Sequence, residues 1–170
     1  MLRRLRRYAR DAGLAFLVSL FTLIFLFQPF KVEGTSMMPS LQDQERILVN
    51  KVAYDVGTIQ RGDLVVFRYP RDPSKTFIKR IIAGPGDVVR IHHGIVWVNG
   101  RPLQESYRYD EPEGPGDYGP ETVPGGTYFV LGDHRSVSLD SRDWGVVSGA
   151  AIFGKAVLRY WPPTQFGPLG

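Results

Sequence analysis

Gly34-Thr35-Ser36-Met37-Met38-Pro39-Ser40-Leu41 marks the point where the pattern of the sequence changes. A long apolar segment ends shortly before it, whereas apolar and polar residues alternate in much of the chain after it, with the period of two that is typical of β-strands. Gly34 permits backbone angles that other residues avoid, and Pro39 stiffens the chain beyond the turn. The stretch therefore predicts an exposed serine, Ser36, held between an N-terminal helix and a β-rich domain.

The apolar segment predicts one transmembrane helix. Residues 12–30 form a run of 19 uncharged side chains, close to the roughly 20 residues that cross a bilayer as a helix. Five arginines and no acid lie in residues 1–10, so the positive-inside rule predicts that residues 1–11 are cytoplasmic and that residues 31–170 lie outside the cell membrane. A cleaved signal peptide is the alternative, but the sequence after the apolar run, Pro-Phe-Lys-Val-Glu, offers no small-x-small cleavage site.

The positive charge of the chain is concentrated at its N-terminus. The sequence has 21 basic and 17 acidic side chains, and five of the basic ones lie in the first ten residues, which leaves 16 basic and 17 acidic side chains in the other 160 residues. This balance is not typical of a nucleic-acid-binding domain. The absence of cysteine excludes disulfides, thiol nucleophiles and cysteine-based zinc sites, and the three histidines lack the spacing of a metal site. We therefore expect no metal and no nucleic acid as a partner.

The rest of the chain predicts a mainly β fold. Seven segments are rich in β-branched or aromatic residues and are bounded by Gly, Pro, Asp or Asn. They are residues 47–51, 64–69, 77–83, 88–91, 95–98, 128–131 and 152–160. No helix of comparable strength is predicted outside the anchor, and residues 103–126, rich in Pro, Gly and acid, are expected to form a surface excursion. We therefore expect curled antiparallel sheets or a partial β-barrel behind a single N-terminal helix.

One predicted strand contains a lysine. In Phe77-Ile78-Lys79-Arg80-Ile81-Ile82, Lys79 shares a face with Phe77 and Ile81. If this face is buried, the pKa of the lysine falls, and the neutral amine can then take a proton from a serine hydroxyl near neutral pH. The alternative is a charged residue that protects an edge strand, and Arg80 on the opposite face fits that alternative well.

A third stretch, residues 132–145, is dense in Gly, Asp, Ser and Arg. Its Ser138, Asp140 and Arg142 can form a network that braces a base, with a bidentate ion pair between Asp140 and Arg142. The alternative is a polar turn at the end of a strand. His134, in the same stretch, is an alternative base in a Ser-His-Asp triad.

These stretches, in this order behind an N-terminal anchor, resemble the bacterial type I signal peptidases (leader peptidases), a family of serine–lysine endopeptidases. The resemblance rests on four boxes, at residues 36–41, 62–67, 79–87 and 132–142. The first box has Ser40 where the family usually has threonine. The resemblance implies a membrane-anchored peptidase that removes signal peptides from secreted preproteins after small-x-small (Ala-x-Ala-like) sites. Its partners would be those preproteins and the lipid bilayer, and it would need no metal or cofactor.

The resemblance also implies roles for individual residues. Ser36 would be the nucleophile, with its own N–H in the oxyanion hole, and Lys79 the general base. Ser138 would hydrogen-bond the lysine amine, and Asp140 and Arg142 would support the site. The residues expected to line the S1 and S3 pockets are Phe30, Val32, Met37 and Ile78.

Two positions depart from the family pattern. Some members place a serine two residues before the nucleophile and use its hydroxyl in the oxyanion hole, but this chain has Gly34 there, which leaves Thr35 or a water as the second donor. The last box usually reads Gly-Asp-Asn, and here its third residue is His134, which keeps the histidine alternative open. A conjugation-pilus processing peptidase is an alternative within the serine–lysine class. A non-catalytic β-rich module is the alternative outside it, although such a module should have lost Ser36 or Lys79.

Overall fold

The computed structural model describes residues 2–109 and 116–169. The chain ends and residues 110–115, which are part of the predicted excursion, lie outside the described residues. Behind one long N-terminal helix, the described chain consists mainly of antiparallel strands in two sheets. The predicted mainly β fold is therefore confirmed.

Twelve strands, three α-helices and two 3-10 helices make up the described part of the chain. The strands are β1 Phe27–Lys31, β2 Arg46–Asn50, β3 Leu64–Tyr69, β4 Asp72–Ala83, β5 Val88–His92, β6 Ile95–Val98, β7 Arg101–Pro102, β8 Tyr118–Thr122, β9 Thr127–Leu131, β10 Val147–Ser148, β11 Ile152–Trp161 and β12 Gly167–Pro168. The α-helices are α1 Leu2–Leu26, α2 Ala53–Val56 and α3 Ser141–Trp144, and the 3-10 helices are Gly149–Ala151 and Pro163–Gln165.

Helix α1 ends earlier than the predicted span 12–30. The helix stops at Leu26, and residues 27–30 lie in β1, which pairs with β2 along its whole length. Pro29 explains the difference, because it cannot donate a helical hydrogen bond but is tolerated in a strand at the edge of a sheet. The helical part, over Arg6–Leu26, is long and apolar enough to cross a bilayer.

Eight strands form the first sheet, in the order β1-β2-β11-β3-β4-β9-β10, with β12 paired to β11. All seven predicted strands are present in the structure, five of them in this sheet, with ends that differ by a few residues. The sheet is not closed into a barrel, because β1 and β10 are its two end strands. Among the described residues, β9 pairs with β4 only from Arg80 onward, so the first half of β4 has a free edge on that side. This free edge and β1 line the same cleft.

Four strands form the second sheet, in the order β7-β6-β5-β8. Strand β8 lies inside the predicted excursion 103–126, so this stretch is not a loop throughout. Its Gly119-Pro120 pair is typical of a turn and hides the alternation that marks a strand. Buried apolar side chains from both sheets pack between them, and Leu103, at the start of the excursion, packs against the same cluster.

Candidate active site

The turn after β1 presents Ser36. Gly34 has a φ of +89°, in the region that favours glycine, and its N–H donates to Asp43 Oδ1 at 2.8 Å. Met37, directly after the serine, is only 1% exposed and packs in an apolar cluster beneath the turn. The turn is therefore fixed on both sides of the half-buried Ser36.

Lys79 of β4 lies opposite this serine. Its Nζ is 2.6 Å from Ser36 Oγ, and the residue is 4% exposed, so the edge-strand interpretation of Lys79 is wrong. Burial lowers the pKa of Lys79 from 10.5 to about 8, the charges of Asp140 and Asp133 partly oppose this effect, and Arg142 adds to it. A useful fraction of the lysine is therefore neutral near neutral pH, as a general base requires.

Arg80 is also buried, at 4% exposure, and is not the exposed edge residue that the sequence suggested. Its Nε and Nη2 bind the carboxylate of Asp133 at 2.9 and 2.7 Å. The guanidinium donates further to the carbonyl of Gly62 at 2.8 Å and to the hydroxyl of Ser40 at 3.0 Å. Arg80 lies in the lysine box, residues 79–87, and these bonds connect it to the other three boxes through Ser40, Gly62 and Asp133.

The sequence contained a signal for this burial. Arg80 shares a face of β4 with Ile78 and Ile82, and the reasoning that predicted burial of Lys79 between apolar neighbours applied equally to the arginine. Its partner, Asp133, is 53 residues away in sequence, so only the tertiary fold reveals the pair.

Asp140 organises residues 132–145. It caps helix α3 in a reciprocal capping box with Asp143. Its carboxylate pairs with Arg142 at 2.8 and 2.9 Å, which is the bidentate pair expected from the sequence, and accepts a bond from the N–H of Gly132 at 3.1 Å. Arg142 also donates to the carbonyl of Arg135 at 2.8 Å. The stretch is therefore a connected network and not a simple polar turn.

Ser138 lies at a point of close approach in this network. A Cβ on Gly132 would be 2.2 Å from Ser138 Oγ and 2.5 Å from the carbonyl oxygen of Ser36, so only glycine fits there. The hydroxyl of Ser138 is buried and has no hydrogen-bond partner among the described residues. The bond to the lysine amine that the family resemblance implied is thus not formed in this structure, where the amine is bonded to Ser36.

His134 holds the turn that carries the serine. Its N–H donates to the carbonyl of Ser36 at 3.1 Å, its ring Nδ1 is 3.3 Å from the carbonyl oxygen of Thr35, and the ring of Tyr109 packs 4.6 Å from the imidazole. Lys79 Nζ is the group at hydrogen-bond distance from Ser36 Oγ. The geometry therefore favours the lysine over the histidine as the base.

A cleft of about 510 Å³ leads to Ser36 and Lys79. One wall is formed by β1 and the turn after it, and the other by the free half of β4. Three of the residues expected to contact substrate, Phe30, Val32 and Ile78, line this cleft. Its walls are therefore mostly apolar, with the hydroxyl and the amine among its lining groups.

Met37, which was also expected to contact substrate, is not among the residues that line this cleft. Its long apolar side chain is buried in the cluster below, where removing it from water is favourable. The sequence reasoning also missed Val137 and Leu139, which line the cleft and are 54% and 61% exposed. They flank Ser138 in a segment that has no strand or helix pattern, so periodicity gave no signal for them.

Comparisons with known proteins found relatives that match most of this chain. The family model described as signal peptidase, peptidase S26, matches residues 5–161. Signal peptidase I of Leptolyngbya laminosa is 38% identical over 168 residues, which are 95% of this chain and 82% of that protein. Signal peptidase I of Bacillus caldolyticus is 39% identical over 155 residues, 84% of each protein. The crystal structure of a signal peptidase I from Enterococcus faecalis V583 is 32% identical, with a TM-score of 0.52, and the match covers 59% of this chain and 97% of that one.

Proposed function

Because this chain belongs to the signal peptidase family, peptidase S26, and is therefore a serine peptidase, we propose that it removes N-terminal signal peptides from secreted preproteins. Ser36 is the proposed nucleophile and Lys79 the proposed general base. The observation that carries the proposal is the 2.6 Å distance between Ser36 Oγ and a buried lysine amine beside an open cleft. Activation of a serine hydroxyl needs a proton acceptor at this distance.

The first step forms an acyl-enzyme. The neutral amine of Lys79 takes the proton of Ser36 Oγ, and the oxygen attacks the carbonyl carbon of the scissile bond. The N–H of Ser36 donates to no atom among the described residues, so it is available to the oxyanion. When the tetrahedral intermediate collapses, the lysine ammonium gives its proton to the leaving amine, which is the new N-terminus of the mature protein. In the second step the same amine takes a proton from water, and the hydroxide attacks the acyl carbon. The ester bond to Ser36 Oγ then breaks, the lysine ammonium returns its proton to that oxygen, and the signal peptide leaves with a new carboxylate.

The second donor to the oxyanion must come from elsewhere in the turn. Gly34 has no side chain, and Thr35 lies between it and the nucleophile on the wall of the cleft. We assign the second donor to the Thr35 hydroxyl or to a water at that position. Loss of one such donor costs about 2.7–4 kcal/mol of transition-state stabilisation in other serine peptidases, so a replacement is needed for an efficient enzyme.

The shape of the cleft supports an extended substrate. Its walls are two strand edges, β1 and the free half of β4, and a peptide between them can form main-chain hydrogen bonds as an added strand. Phe30, Val32 and Ile78 then meet the side chains before the scissile bond. We propose that small residues, typically alanine at P1 and P3, are selected because larger ones clash with these walls.

We propose that α1 anchors the enzyme in the cell membrane, with residues 1–11 in the cytoplasm and residues 31–170 outside. The arginines before the apolar run and the length of the helix support this orientation. The N–H of Lys51 donates to the carbonyl of Leu26 at 2.9 Å, which ties the β domain to the end of the helix. Ser36 follows that end by ten residues, so the cleft lies near the plane where tethered preproteins emerge. Confinement to one plane raises the effective concentration of substrate.

The test uses the full-length protein in detergent micelles with a purified preprotein that has an Ala-x-Ala site. Cleavage by wild type is compared with Ser36→Ala, Lys79→Ala and His134→Ala, and the product N-terminus is sequenced. We expect wild type to cut after the small-x-small site, and both dyad variants to lose more than about 1,000-fold in rate. Tryptophan fluorescence verifies that the variants are folded.

The outcomes separate the alternatives. Measurable cleavage by His134→Ala, together with none by Lys79→Ala, agrees with the lysine as base. If Lys79→Ala cuts and His134→Ala does not, the base is the histidine and the proposed mechanism is wrong. If wild type cuts no preprotein, a non-catalytic binding module becomes the better description of the β domain.

A further inference from the structure

The proposed function leaves the start of the excursion, residues 105–109, without a role. This segment, Glu105-Ser106-Tyr107-Arg108-Tyr109, comes after β7 and contains a turn closed by a bond from the N–H of Arg108 to the carbonyl of Glu105 at 3.1 Å. Its two tyrosines and its glutamate each contact a residue that adjoins the active site. The segment therefore connects the second sheet to the catalytic cleft.

Glu105 makes the first contact, a buried ion pair with Arg135. The two side chains are only 6% and 3% exposed, and two guanidinium nitrogens reach the carboxylate, one of them at 3.2 Å. Arg135 Nε donates to the carbonyl of Gly132 at 2.9 Å. Gly132 is the residue against which the Ser138 hydroxyl and the Ser36 carbonyl pack. The ion pair thus fixes the backbone that supports the nucleophile.

Tyr107 makes the second contact, with Arg80. The guanidinium carbon lies 4.0 Å from the centroid of the tyrosine ring, a cation–π distance, and the tyrosine hydroxyl donates to Glu105 at 3.1 Å. Arg80 is held on its other side by Asp133. Lys79 directly precedes Arg80 in β4, so the contacts that hold the guanidinium also help to hold the strand that carries the amine.

Tyr109 makes the third contact, with residues 133 and 134. Its N–H donates to the carbonyl of Asp133 at 3.2 Å, and its ring packs 4.6 Å from the imidazole of His134. His134 in turn holds the carbonyls of Ser36 and Thr35. Tyr109 therefore contacts the turn that carries Ser36 indirectly, through His134.

We propose that residues 105–109 are a positioning element that sets the distance between the Ser36 hydroxyl and the Lys79 amine. The proposal rests on the proposed function, because it gives a role within the same reaction. No hydrogen bond of the described residues joins this segment to Ser36 Oγ or to Lys79 Nζ, so its effect passes through the two arginines and His134. A misplacement of a catalytic group by about 1 Å can lower the rate on the order of 100-fold, so loss of the positioning element should have a measurable effect.

A shift of residues 105–109 is expected to change the pKa of Lys79, because it changes the surroundings of the groups that face the amine. Ser36 faces it from the turn, Asp133, Asp140 and Arg142 come from residues 132–145, and the ring of Phe77 lies 5.8 Å from its Nζ on the same strand. Burial is the largest influence on its pKa of about 8. If water enters, the pKa rises toward 10.5, and less of the lysine is neutral at a given pH.

The experiment compares Tyr107→Leu, Tyr107→Phe and the matched control Tyr118→Leu in the full-length protein in micelles. Tyr118 is at the other end of the excursion, in β8, and packs 5.1 Å from Phe129 in the core between the sheets. For each variant kcat, KM and Tm are measured on the Ala-x-Ala preprotein, together with the pH dependence of kcat/KM. The acid limb of that dependence reports the pKa of the base in the free enzyme.

We expect Tyr107→Leu to lower kcat by about 10- to 100-fold with KM unchanged, and to move the acid limb to higher pH. Tyr107→Phe keeps the ring over Arg80, so its kcat and the acid limb of its pH profile should be close to those of wild type. Tyr118→Leu should lower Tm by about as much as Tyr107→Leu does, but it should leave the acid limb of the kcat/KM profile at its wild-type pH. If Tyr107→Leu does not fold, Glu105→Gln replaces it, because it removes the charge of the ion pair at constant size and should change kcat and the limb in the same direction.

Two results would overturn the proposal. The first is that Tyr107→Leu has the kcat of wild type and that the acid limb of its kcat/KM profile does not move. The other is an equal loss in Tyr107→Phe and Tyr107→Leu, which would exclude the ring contact as the cause. Failure of the proposed function has a different signature, since either wild type would then cleave no preprotein or Lys79→Ala would still cleave it.

Discussion

Replacing the buried lysine tests the electrostatics of the site through the stability of the fold. The substitution Lys79→Met keeps an unbranched side chain of similar length and removes the ionisable amine. The folded protein holds the lysine at a pKa of about 8 instead of 10.5 because burial disfavours its charge. At 1.36 kcal/mol for each pKa unit, this difference opposes folding by about 3 kcal/mol when the lysine is protonated in both states.

The sign of the pH dependence is set by the two pKa values. Between pH 8 and pH 10.5 the unfolded chain binds more protons at this site than the folded protein does, so wild-type stability rises with pH through that window. Below pH 8 the unfavourable contribution is fully present. We therefore expect Lys79→Met to be more stable than wild type by about 3 kcal/mol at pH 7, by about 2 kcal/mol at pH 9, and by less than about 0.5 kcal/mol at pH 10.5.

The assay is urea unfolding of the full-length protein in micelles, monitored by tryptophan fluorescence at each pH. Lys75→Met is the matched control, because Lys75 lies on the same strand but its side chain is 64% exposed, and a change within about 0.5 kcal/mol is expected there. The variant Lys79→Met should also be inactive. Equal stability of Lys79→Met and wild type at pH 7, or a gain that does not shrink as the pH rises, would refute the reasoning.

The network around the dyad gives three further expectations. Gly132→Ala places a Cβ 2.2 Å from Ser138 Oγ, so unfolding and activity assays should both show a large loss, whereas Gly125→Ala, which meets no atom within 4 Å, should be neutral. Ser138→Ala removes a buried hydroxyl without a described partner, so the free energy of unfolding in urea should change by less than about 1 kcal/mol. Asp133→Ala leaves the buried Arg80 unpaired and should lower the unfolding free energy by about 3–5 kcal/mol, and a loss below about 1 kcal/mol would contradict the burial of this pair.

Local patterns in the sequence were sufficient for much of the fold. Alternation of apolar and polar residues reports directly on which side of a strand is buried, so the seven predicted strands are present. The pairing of Asp140 with Arg142 was also accessible, because the partners are two residues apart. Lys79 was a candidate for burial because its neighbours on one face are apolar.

The remaining features depend on contacts between distant residues, which local patterns do not contain. Strand β1 is hard to predict because its residues 27–30 continue the uncharged run of the helix; Pro29 is a local signal for the helix end, but only the pairing with β2 shows that a strand follows. The apolar neighbours of Arg80 on its face of β4 are a local signal for burial, but its ion-pair partner Asp133 is 53 residues away and is revealed only by the fold. The contacts of residues 105–109 are side-chain contacts with residues up to 30 positions away, made by a segment without periodicity.

The distance in sequence between the two groups of the dyad has a consequence for the newly made enzyme. Ser36 and Lys79 are 43 residues apart, and Asp140, which organises the supporting network, comes another 61 residues later. A ribosome therefore makes the proposed nucleophile first, the proposed base second and the supporting aspartate last. Until the last of these is synthesised, the growing chain has a serine without its completed surroundings. If these residues act as proposed, we expect the peptidase to be inert during its own biosynthesis and to become active only after nearly the whole domain has been made.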